Sequence, residues 1–319
     1  MRTRFAFFVL LTATLGAQPK ELGPPPGSLV DIGGRKLHVH CTGGGAPTVV
    51  LEAGASAFAI DWSLVEPEVA RTNRVCSYDR AGSGWSDRAP WVETPARVVA
   101  DLHAALKAAG EKPPYVLAGA SMGGIYVRLY DLTYPGEVAG MVLVDPSSEE
   151  RLFTMFDGKG VVIASLTAEQ MRSTVPAGPV RVPRREPQTG APFDKLPKDL
   201  YESRVLLDRR LIDSIPTSIP PEIIAESAEG QRAAFAKLRA AAKEHPFGDR
   251  PLVVLTRGVD SSEDMKVAHA AIARQSTNSR HTVVANSGHE IHLYQPAVVV
   301  QAIRDVVESE RKGEKLAKS

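Results

Sequence analysis

The sequence YVLAGASMGG, residues 115–124, places Ser121 at the end of an apolar run, in the pattern Gly-x-Ser-x-Gly. Gly119 and Gly123 leave room for a turn too sharp for ordinary backbone angles, and for close packing of a strand against a helix. A helix-compatible stretch follows and ends before Pro135. The first N–H groups of such a helix point at negative charge developing near the serine oxygen. This context favours a nucleophilic serine over a glycine-rich structural turn.

Short apolar strands alternate with amphipathic helices on both sides of this turn. The predicted strands are 28–32, 35–42, 48–51, 74–78, the run into Ser121, 141–144, 251–256 and 281–285. The predicted helices are 95–109, the stretch after Ser121, 265–275 and 296–311. Alternation of this kind predicts an α/β fold with a mostly parallel sheet covered on both faces.

One long segment interrupts the alternation. Residues 147–250 contain many prolines, scattered charges and short amphipathic pieces, without a buried strand pattern. About a hundred residues of this texture inside an α/β chain predict an inserted helical cap, and such an insertion over a pocket is a lid. The core then consists of residues 18–146 and 251–319.

The amino terminus has the pattern of a secretory signal. Arg2 and Arg4 precede an apolar stretch, 5–15, that is too short to span a bilayer. Small residues follow, so we expect residues 1–17 to be a signal peptide cleaved after Ala17, with an uncleaved anchor as the alternative. We therefore expect an exported protein, periplasmic or extracellular, with no stable membrane insertion after cleavage.

Composition is that of an ordinary globular protein. The chain has 319 residues, 43% of them hydrophobic, and a formal charge of +1, which argues against nucleic acid as the main partner. The two cysteines, Cys41 and Cys76, lie in strand-like runs. In an oxidising compartment they can form one disulfide, and two separate buried thiols are the alternative.

A serine hydroxyl needs a base to remove its proton. His289 follows the last predicted strand, so we expect it to lie at the same sheet edge as Ser121. His292 is the nearest rival, but its position suits packing at the start of the final helix, and His281 opens the strand at its opposite end. The three-residue spacing of His289 and His292 does not fit a helical zinc pair. We predict no metal site and no cofactor.

The histidine in turn needs a carboxylate to hold its tautomer. The chain order serine, acid, histidine is satisfied by Asp260, just past the strand 251–256, and by Asp145, at the tip of the preceding predicted strand. Glu263 and Asp264 are nearby alternatives. Chain order and strand-end position favour Asp260, with Asp145 as its rival.

The oxyanion hole needs two backbone donors. One is the N–H of Met122, directly after the nucleophile, and the other should come from the loop after the third predicted strand, residues 53–56. We select Ala55, with Gly54 and Ser56 as neighbours that could substitute.

Taken together, these residues resemble the α/β-hydrolase fold family, and within it the serine esterase-like members with an inserted helical lid. Beyond the serine turn, the resemblance is carried by VVLEAG (49–54), YDRAGSGWSD (78–87) and Gly288-His289. The family's His-Gly before the oxyanion donor is replaced here by Ala53-Gly54.

The resemblance implies several further features. It implies a mostly parallel eight-stranded sheet flanked by helices, with the cap inserted after the sixth strand. It supports Asp260 as the acid without excluding Asp145. It also implies that the strands of Cys41 and Cys76 are neighbours, which favours the disulfide.

The function predicted from the sequence is hydrolysis of small or medium-sized carboxylic esters through an acyl-enzyme on Ser121. Amidase, lactonase, cofactor-free peroxidase or acyl-transfer activity on the same triad are alternatives, as is a non-catalytic ligand-binding protein on this scaffold. Relatives that cleave carbon–halogen bonds or epoxides resemble this chain but have an aspartate at the serine position, so those activities are not expected. The expected partner is a small-molecule ester, and the sequence sets no oligomeric state.

Overall fold

The computed structural model describes residues 22–243 and 246–317. The predicted signal peptide, residues 1–17, lies outside the described residues.

The first part of the chain builds most of one sheet. Its strands are β1 (Ser28–Asp31), β2 (Lys36–Thr42), β3 (Thr48–Glu52), β4 (Val75–Tyr78), β5 (Tyr115–Ala120) and β6 (Val138–Val144). Its helices are α1 (Glu66–Ala70), α2 (Pro95–Ala108) and α3 (Gly123–Thr133), together with a short 3-10 helix, Ala59–Trp62.

The chain then leaves the sheet for residues 147–250. The helices there are α4 (Ala168–Ser173), α5 (Lys198–Ser214) and α6 (Pro221–Ala242). The strands there are β7 (Phe153–Phe156), β8 (Lys159–Val162), β9 (Val180–Arg181) and β10 (Ser218–Ile219), which pair as two small antiparallel sheets. The sequence predicted helices alone for this segment. The small sheets were not predicted because their strands are short and partly exposed, so their sequences show no buried-strand pattern.

The chain returns to the sheet with β11 (Leu252–Arg257) and β12 (Ser279–Val284), and adds helices α7 (Glu263–Ala273), α8 (Ile291–Tyr294) and α9 (Pro296–Lys312). The eight strands lie in the order β1-β2-β4-β3-β5-β6-β11-β12. The pairs β1/β2 and β2/β4 are antiparallel and the other pairs are parallel. The prediction of a mostly parallel eight-stranded sheet is confirmed.

Both faces of the sheet are buried, because successive strand residues point to opposite sides. In β5, Leu117 packs in the apolar layer that includes α2 and α3, whereas Val116 packs in the layer that includes α9. The sheet is therefore a rigid platform whose strand ends present loops at its two edges. Within residues 22–243 and 246–317, none of the helices combines the length and the apolar character that crossing a bilayer requires.

The two cysteines form a disulfide. β2 and β4 are antiparallel neighbours, and their register sets Cys41 opposite Cys76. The two sulfur atoms are bonded at 2.06 Å. The alternative of two separate thiols, which the sequence left open, is thereby removed.

Candidate active site

Ser121 occupies a strained turn between β5 and α3. Its φ of 53° lies in the left-handed region that non-glycine residues rarely adopt. The turn depends on close backbone approaches at the flanking glycines. A Cβ added at Gly119 would lie 2.5 Å from the Gly123 carbonyl oxygen, and one added at Gly123 would lie 2.5 Å from the Glu52 carbonyl oxygen. The two glycines are therefore required by space, as the sequence pattern predicts.

A carboxylate and an imidazole meet beside this turn. The register of β5 and β6 pairs Ala120 with Val144, so Ser121 and Asp145 follow neighbouring strand ends. Asp145 Oδ2 lies 2.5 Å from His289 Nδ1, and the side chain of Asp145 is only 1% exposed. An imidazole bound at Nδ1 keeps Nε2 as the nitrogen that can take a serine proton.

Arg257 fixes the Asp145 carboxylate from the other side. Its backbone N–H donates to Oδ1 at 3.0 Å, and its guanidinium donates to Oδ2 at 3.3 Å. Because β11 lies next to β6, this arginine stands at the same sheet edge as the serine turn. The sequence did not predict this role for Arg257. Its position directly before Gly258, at a strand end, was the only available signal.

The acid favoured from the sequence, Asp260, is corrected by this geometry. His289 pairs with the rival, Asp145, whereas Asp260 is exposed and makes no side-chain hydrogen bond or ion pair within the described parts of the chain. The physical reason lies in the loop after β11. The N–H of Val259 donates to the Ser287 carbonyl at 3.0 Å, so the loop runs beside the segment before His289 while Asp260 itself reaches the surface.

The rival histidines lie in other surroundings. His292 is buried, its ring centroid lies 4.6 Å from that of Trp62, and burial lowers its pKa to about 3, so it stays neutral. His281 Nε2 lies 2.8 Å from Thr256 Oγ1, and burial lowers its pKa as well. His292 therefore has the packing position that its sequence context indicates, and His289 is the histidine paired with a carboxylate at the serine edge.

The loop after β3 lies against the serine. A Cβ added at Gly54 would lie 3.2 Å from Ser121 Cβ. Among the described residues, neither the N–H of Ala55 nor that of Met122 donates to a protein acceptor. Two backbone donors near the nucleophile are thus available for an oxyanion. Ser56, the next residue, adopts a φ of 56°, so the loop turns sharply just past Ala55.

A buried ion pair holds that loop. Arg80 Nη1 donates to Glu52 Oε1 at 2.7 Å and to the Ala53 carbonyl at 2.8 Å, and Nη2 donates to the Gly54 carbonyl at 2.5 Å. Tyr78 donates its hydroxyl to Glu52 Oε2 at 2.5 Å. Burial raises the pKa of Glu52, and Arg80 opposes that rise. Burial lowers the pKa of Arg80, but Glu52 together with Tyr126, Tyr78 and Glu93 outweighs burial, so the net direction is upward and the guanidinium stays charged. Arg80 lies in the segment 78–87 that carries the family resemblance, but the sequence did not predict this role for it.

The inserted segment packs on both sides of this edge. Leu207 of α5 packs with Phe58 and Ile60, which follow the oxyanion loop. Arg204 Nε donates to Asp61 Oδ1 at 2.9 Å, and both side chains are about 1% exposed. Burial raises the pKa of Asp61 to about 6 against the pull of Arg204.

On the histidine side, Phe193 and Leu196 pack with Leu293 of α8. The inserted segment therefore contacts the elements that follow both the oxyanion loop and His289.

A mostly apolar cavity of about 440 Å³ is lined by residues of β2 and α1. His40, Glu66 and Ser77 form its polar wall, and Ile60 and Leu200 line its apolar side. Ser121, Asp145 and His289 are not among its lining residues. Side-chain geometry, rather than cavity size, therefore identifies the candidate active site.

Known proteins match this chain in sequence profile and in fold. The sequence profile described as "Alpha/beta hydrolase family" matches residues 37–302. The uncharacterized protein YqjL of Bacillus subtilis (strain 168) is 25% identical over 283 residues, which cover 86% of this chain and 89% of that protein.

Two solved structures share the fold. A putative lipase from Acinetobacter baumannii AYE superposes with a TM-score of 0.63 at 19% identity, covering 90% of this chain and 92% of that one. A thermophilic esterase from Thermogutta terrifontis superposes with a TM-score of 0.57 at 24% identity, covering 86% and 94%. At these identities the two structures support the fold alone.

Proposed function

Because this chain belongs to the alpha/beta hydrolase family, we propose that it is a serine hydrolase that cleaves carboxylic esters of small or medium size. The observation that carries the proposal is the 2.5 Å contact between Asp145 Oδ2 and His289 Nδ1, at the strand edge where Ser121 is held in a strained turn. A carboxylate paired with an imidazole, at the strand edge that carries a serine in a strained turn, supplies the parts that acyl transfer requires.

Each residue then has one chemical task. Ser121 Oγ attacks the ester carbonyl while His289 Nε2 takes its proton. The tetrahedral oxyanion accepts hydrogen bonds from the N–H groups of Met122 and Ala55, and each such donor typically contributes about 3 kcal/mol in the transition state. Asp145 stabilises the imidazolium. His289 then protonates the leaving alcohol, and water activated by the same histidine releases the acid and frees Ser121.

The inserted segment, residues 147–250, is proposed as the lid of this site. Its contacts with the elements after the oxyanion loop and after His289 support a position over the serine edge. A segment that spans both sides of a site can exclude water and shape the acyl pocket.

Export remains a proposal that rests on the amino-terminal pattern of residues 1–17. The Cys41–Cys76 disulfide supports it, because structural disulfides persist in oxidising compartments such as the periplasm or the extracellular space. The proposed partner is a small-molecule ester, and the proposed chemistry uses no cofactor.

The proposal is tested with Ser121→Ala and a matched control, Ser28→Ala, at an exposed serine on the edge strand β1. Purified variants are assayed against p-nitrophenyl esters of graded chain length, with an anilide and a lactone of the same acyl size. A fluorophosphonate probe that reacts with activated serines is applied in parallel. We expect the wild type and the Ser28 variant to hydrolyse esters and to be labelled. The Ser121 variant should do neither, while its thermal unfolding curve stays cooperative.

Two results would reject the proposal. One is a wild type that neither hydrolyses any ester nor reacts with the probe. The other is a Ser121→Ala variant that retains ester hydrolysis. If the anilide or the lactone is cleaved much faster than the ester, the serine mechanism stands and the proposed substrate class is replaced.

A further inference from the structure

We propose that Arg80 is a positioning residue for the oxyanion hole. Through its hydrogen bond to the Gly54 carbonyl, Arg80 holds and polarises the peptide unit whose N–H is the Ala55 donor. This inference rests on the proposed function, because it concerns the charge that forms when Ser121 attacks an ester. It assigns a role in rate to a buried arginine that touches neither the serine nor the histidine–aspartate pair.

Arg80 fixes the orientation of the peptide unit between Gly54 and Ala55. The Gly54 C=O and the Ala55 N–H belong to the same planar trans peptide, so they point in opposite directions. Arg80 Nη2 lies 2.5 Å from the Gly54 oxygen, which fixes that carbonyl toward the guanidinium. The Ala55 N–H is thereby fixed on the side of the peptide away from Arg80. Gly54 itself approaches Ser121 closely, with 3.2 Å between its added Cβ and Ser121 Cβ.

The positive charge of Arg80 also polarises this peptide unit. A hydrogen bond from a cation draws electron density out of the carbonyl, and through the amide resonance it makes the N–H of the same peptide a stronger donor. Bonds that polarise one another in this way gain about 10–30% each in condensed-phase estimates. The gain matters most when the Ala55 N–H faces a full oxyanion rather than a neutral carbonyl. The effect is therefore larger in the transition state than in the ground state.

The effect of Arg80 is confined to the loop that it contacts, because carboxylates surround its charge. Glu52 is fully buried and pairs with Arg80, and Tyr78 completes the carboxylate's hydrogen bonds. Glu93 Oε1 also lies 3.7 Å from Arg80 Nε. With its charge balanced, the guanidinium contributes little field at a distance. What remains is the direct contact with the two carbonyls of the loop.

The same fold contains a natural control for this arrangement. Arg250 pairs with Asp131 and donates to three backbone carbonyls, those of Val138 at 3.0 Å, Pro246 at 2.9 Å and Phe247 at 3.3 Å. Like Arg80, it ties backbone carbonyls to a carboxylate. It does so where β6 and β11 begin, at the edge of the sheet opposite to Ser121.

The experiment compares Arg80→Met, Arg80→Lys and Arg250→Met in the full chain. For each variant we measure kcat and KM with a p-nitrophenyl ester, thermal unfolding, and inhibition by a trifluoromethyl ketone, which forms an oxyanion adduct with a reactive serine. Arg80→Met should lower kcat about 10- to 100-fold, less than the loss of a donor outright, with KM changed much less. Affinity for the ketone should fall by the same factor as kcat/KM. Arg80→Lys keeps the charge but loses the forked guanidinium donors, so its kcat and ketone affinity should lie between those of the wild type and Arg80→Met. Arg250→Met should lower the unfolding temperature and leave kcat and ketone affinity unchanged.

Two further variants keep the test decisive. If Arg80→Met does not fold because Glu52 is left unpaired, the double variant Glu52→Gln/Arg80→Met removes both charges and takes its place. Arg80→Ala leaves space for a guanidinium ion, and added guanidinium at millimolar concentration should recover part of the lost kcat.

The outcomes separate this inference from the proposed function. A wild type that is inert to esters and to a fluorophosphonate overturns both. If the wild type is active and a folded Arg80→Met retains its kcat and its ketone affinity, only the role of Arg80 fails. The role also fails if stability and KM change while ketone affinity does not follow kcat/KM, because that pattern belongs to a merely structural arginine.

Discussion

Replacing each candidate aspartate by asparagine decides which carboxylate serves His289. The side chain of Asp145 is 1% exposed and contacts His289 Nδ1, whereas Asp260 is exposed. We predict that Asp145→Asn lowers kcat by about 10³- to 10⁴-fold, or about 4 to 5.5 kcal/mol. Asp260→Asn should change the activation free energy by no more than about 0.5 kcal/mol, as surface substitutions do, which is roughly twofold in rate.

The magnitude follows from the hydrogen bonds around Asp145. The N–H of Arg257 donates to Oδ1 at 3.0 Å, so the amide oxygen of an asparagine should stay there. The amide NH₂ then faces His289 Nδ1, at the position that Oδ2 holds 2.5 Å from it. Because an NH₂ group donates, Nδ1 must accept, and the imidazole proton moves to Nε2. In this tautomer, Nε2 cannot take the proton of Ser121.

The opposite orientation of the amide does not restore activity. It returns an oxygen to His289, but it sets an NH₂ group against the N–H of Arg257. Leaving that partly buried donor without an acceptor costs up to about 1–3 kcal/mol. A neutral amide also provides no charge to stabilise the imidazolium that forms during the reaction. The expected loss therefore stays above about a thousandfold in either orientation.

The assay is steady-state hydrolysis of a p-nitrophenyl ester, with ¹⁵N NMR of His289 to identify its tautomer. Equal unfolding temperatures for the wild type and both variants would establish that rate, not folding, is compared. The reasoning is refuted if Asp260→Asn loses a thousandfold while Asp145→Asn stays active. If the Asp145 variant loses activity with the Nδ1–H tautomer intact, the amide has taken the opposite orientation, and the loss reflects the missing carboxylate charge rather than the tautomer.

The sequence was sufficient for local features of the site. The turn at Ser121 could be predicted because its requirements are contained in five consecutive residues, and steric space at Gly119 and Gly123 explains them. His289 could be predicted because a residue just after the last strand must lie at the edge where the strands end. Periodicity also located the eight sheet strands to within a few residues, because buried parallel strands are continuous apolar runs.

The acid could not be decided in this way. Asp145 and Asp260 both follow strands that end at the same edge, and chain order permits either one. The choice depends on where the loop between β12 and His289 carries the imidazole, and on Arg257, which binds one carboxylate and not the other. Both are tertiary contacts between segments more than a hundred residues apart, and no local pattern encodes them.

The same limit applies to Arg80 and to the inserted segment. A charged residue next to a strand usually indicates a solvated surface, yet Arg80 is buried because Glu52 and two carbonyls satisfy it. In residues 147–250, the amphipathic pieces 200–212 and 229–243 indicated α5 and the second part of α6, but not the start of α6 at Pro221. The packing of α5 could not be predicted, because the ion pair between Arg204 and Asp61 joins it to a 3-10 helix that is distant in sequence.

Two further predictions concern stability around strand β2. Replacing Cys41 and Cys76 by alanine should lower the free energy of unfolding by about 4 kcal/mol, because the disulfide closes a loop of 35 residues. Urea unfolding measures this, and an unchanged midpoint would contradict it. His40 Nδ1 lies 2.6 Å from Glu66 Oε1, and the hydrogen bond to Glu66 raises the pKa of His40 above 6.5. A raised folded pKa means that this stabilisation is complete below pH 6.5, the unfolded value, and is lost as pH rises through the folded pKa. Glu66→Gln should therefore destabilise the protein more at pH 6 than at pH 9, and an NMR titration in which the His40 pKa does not fall in that variant would exclude the pairing.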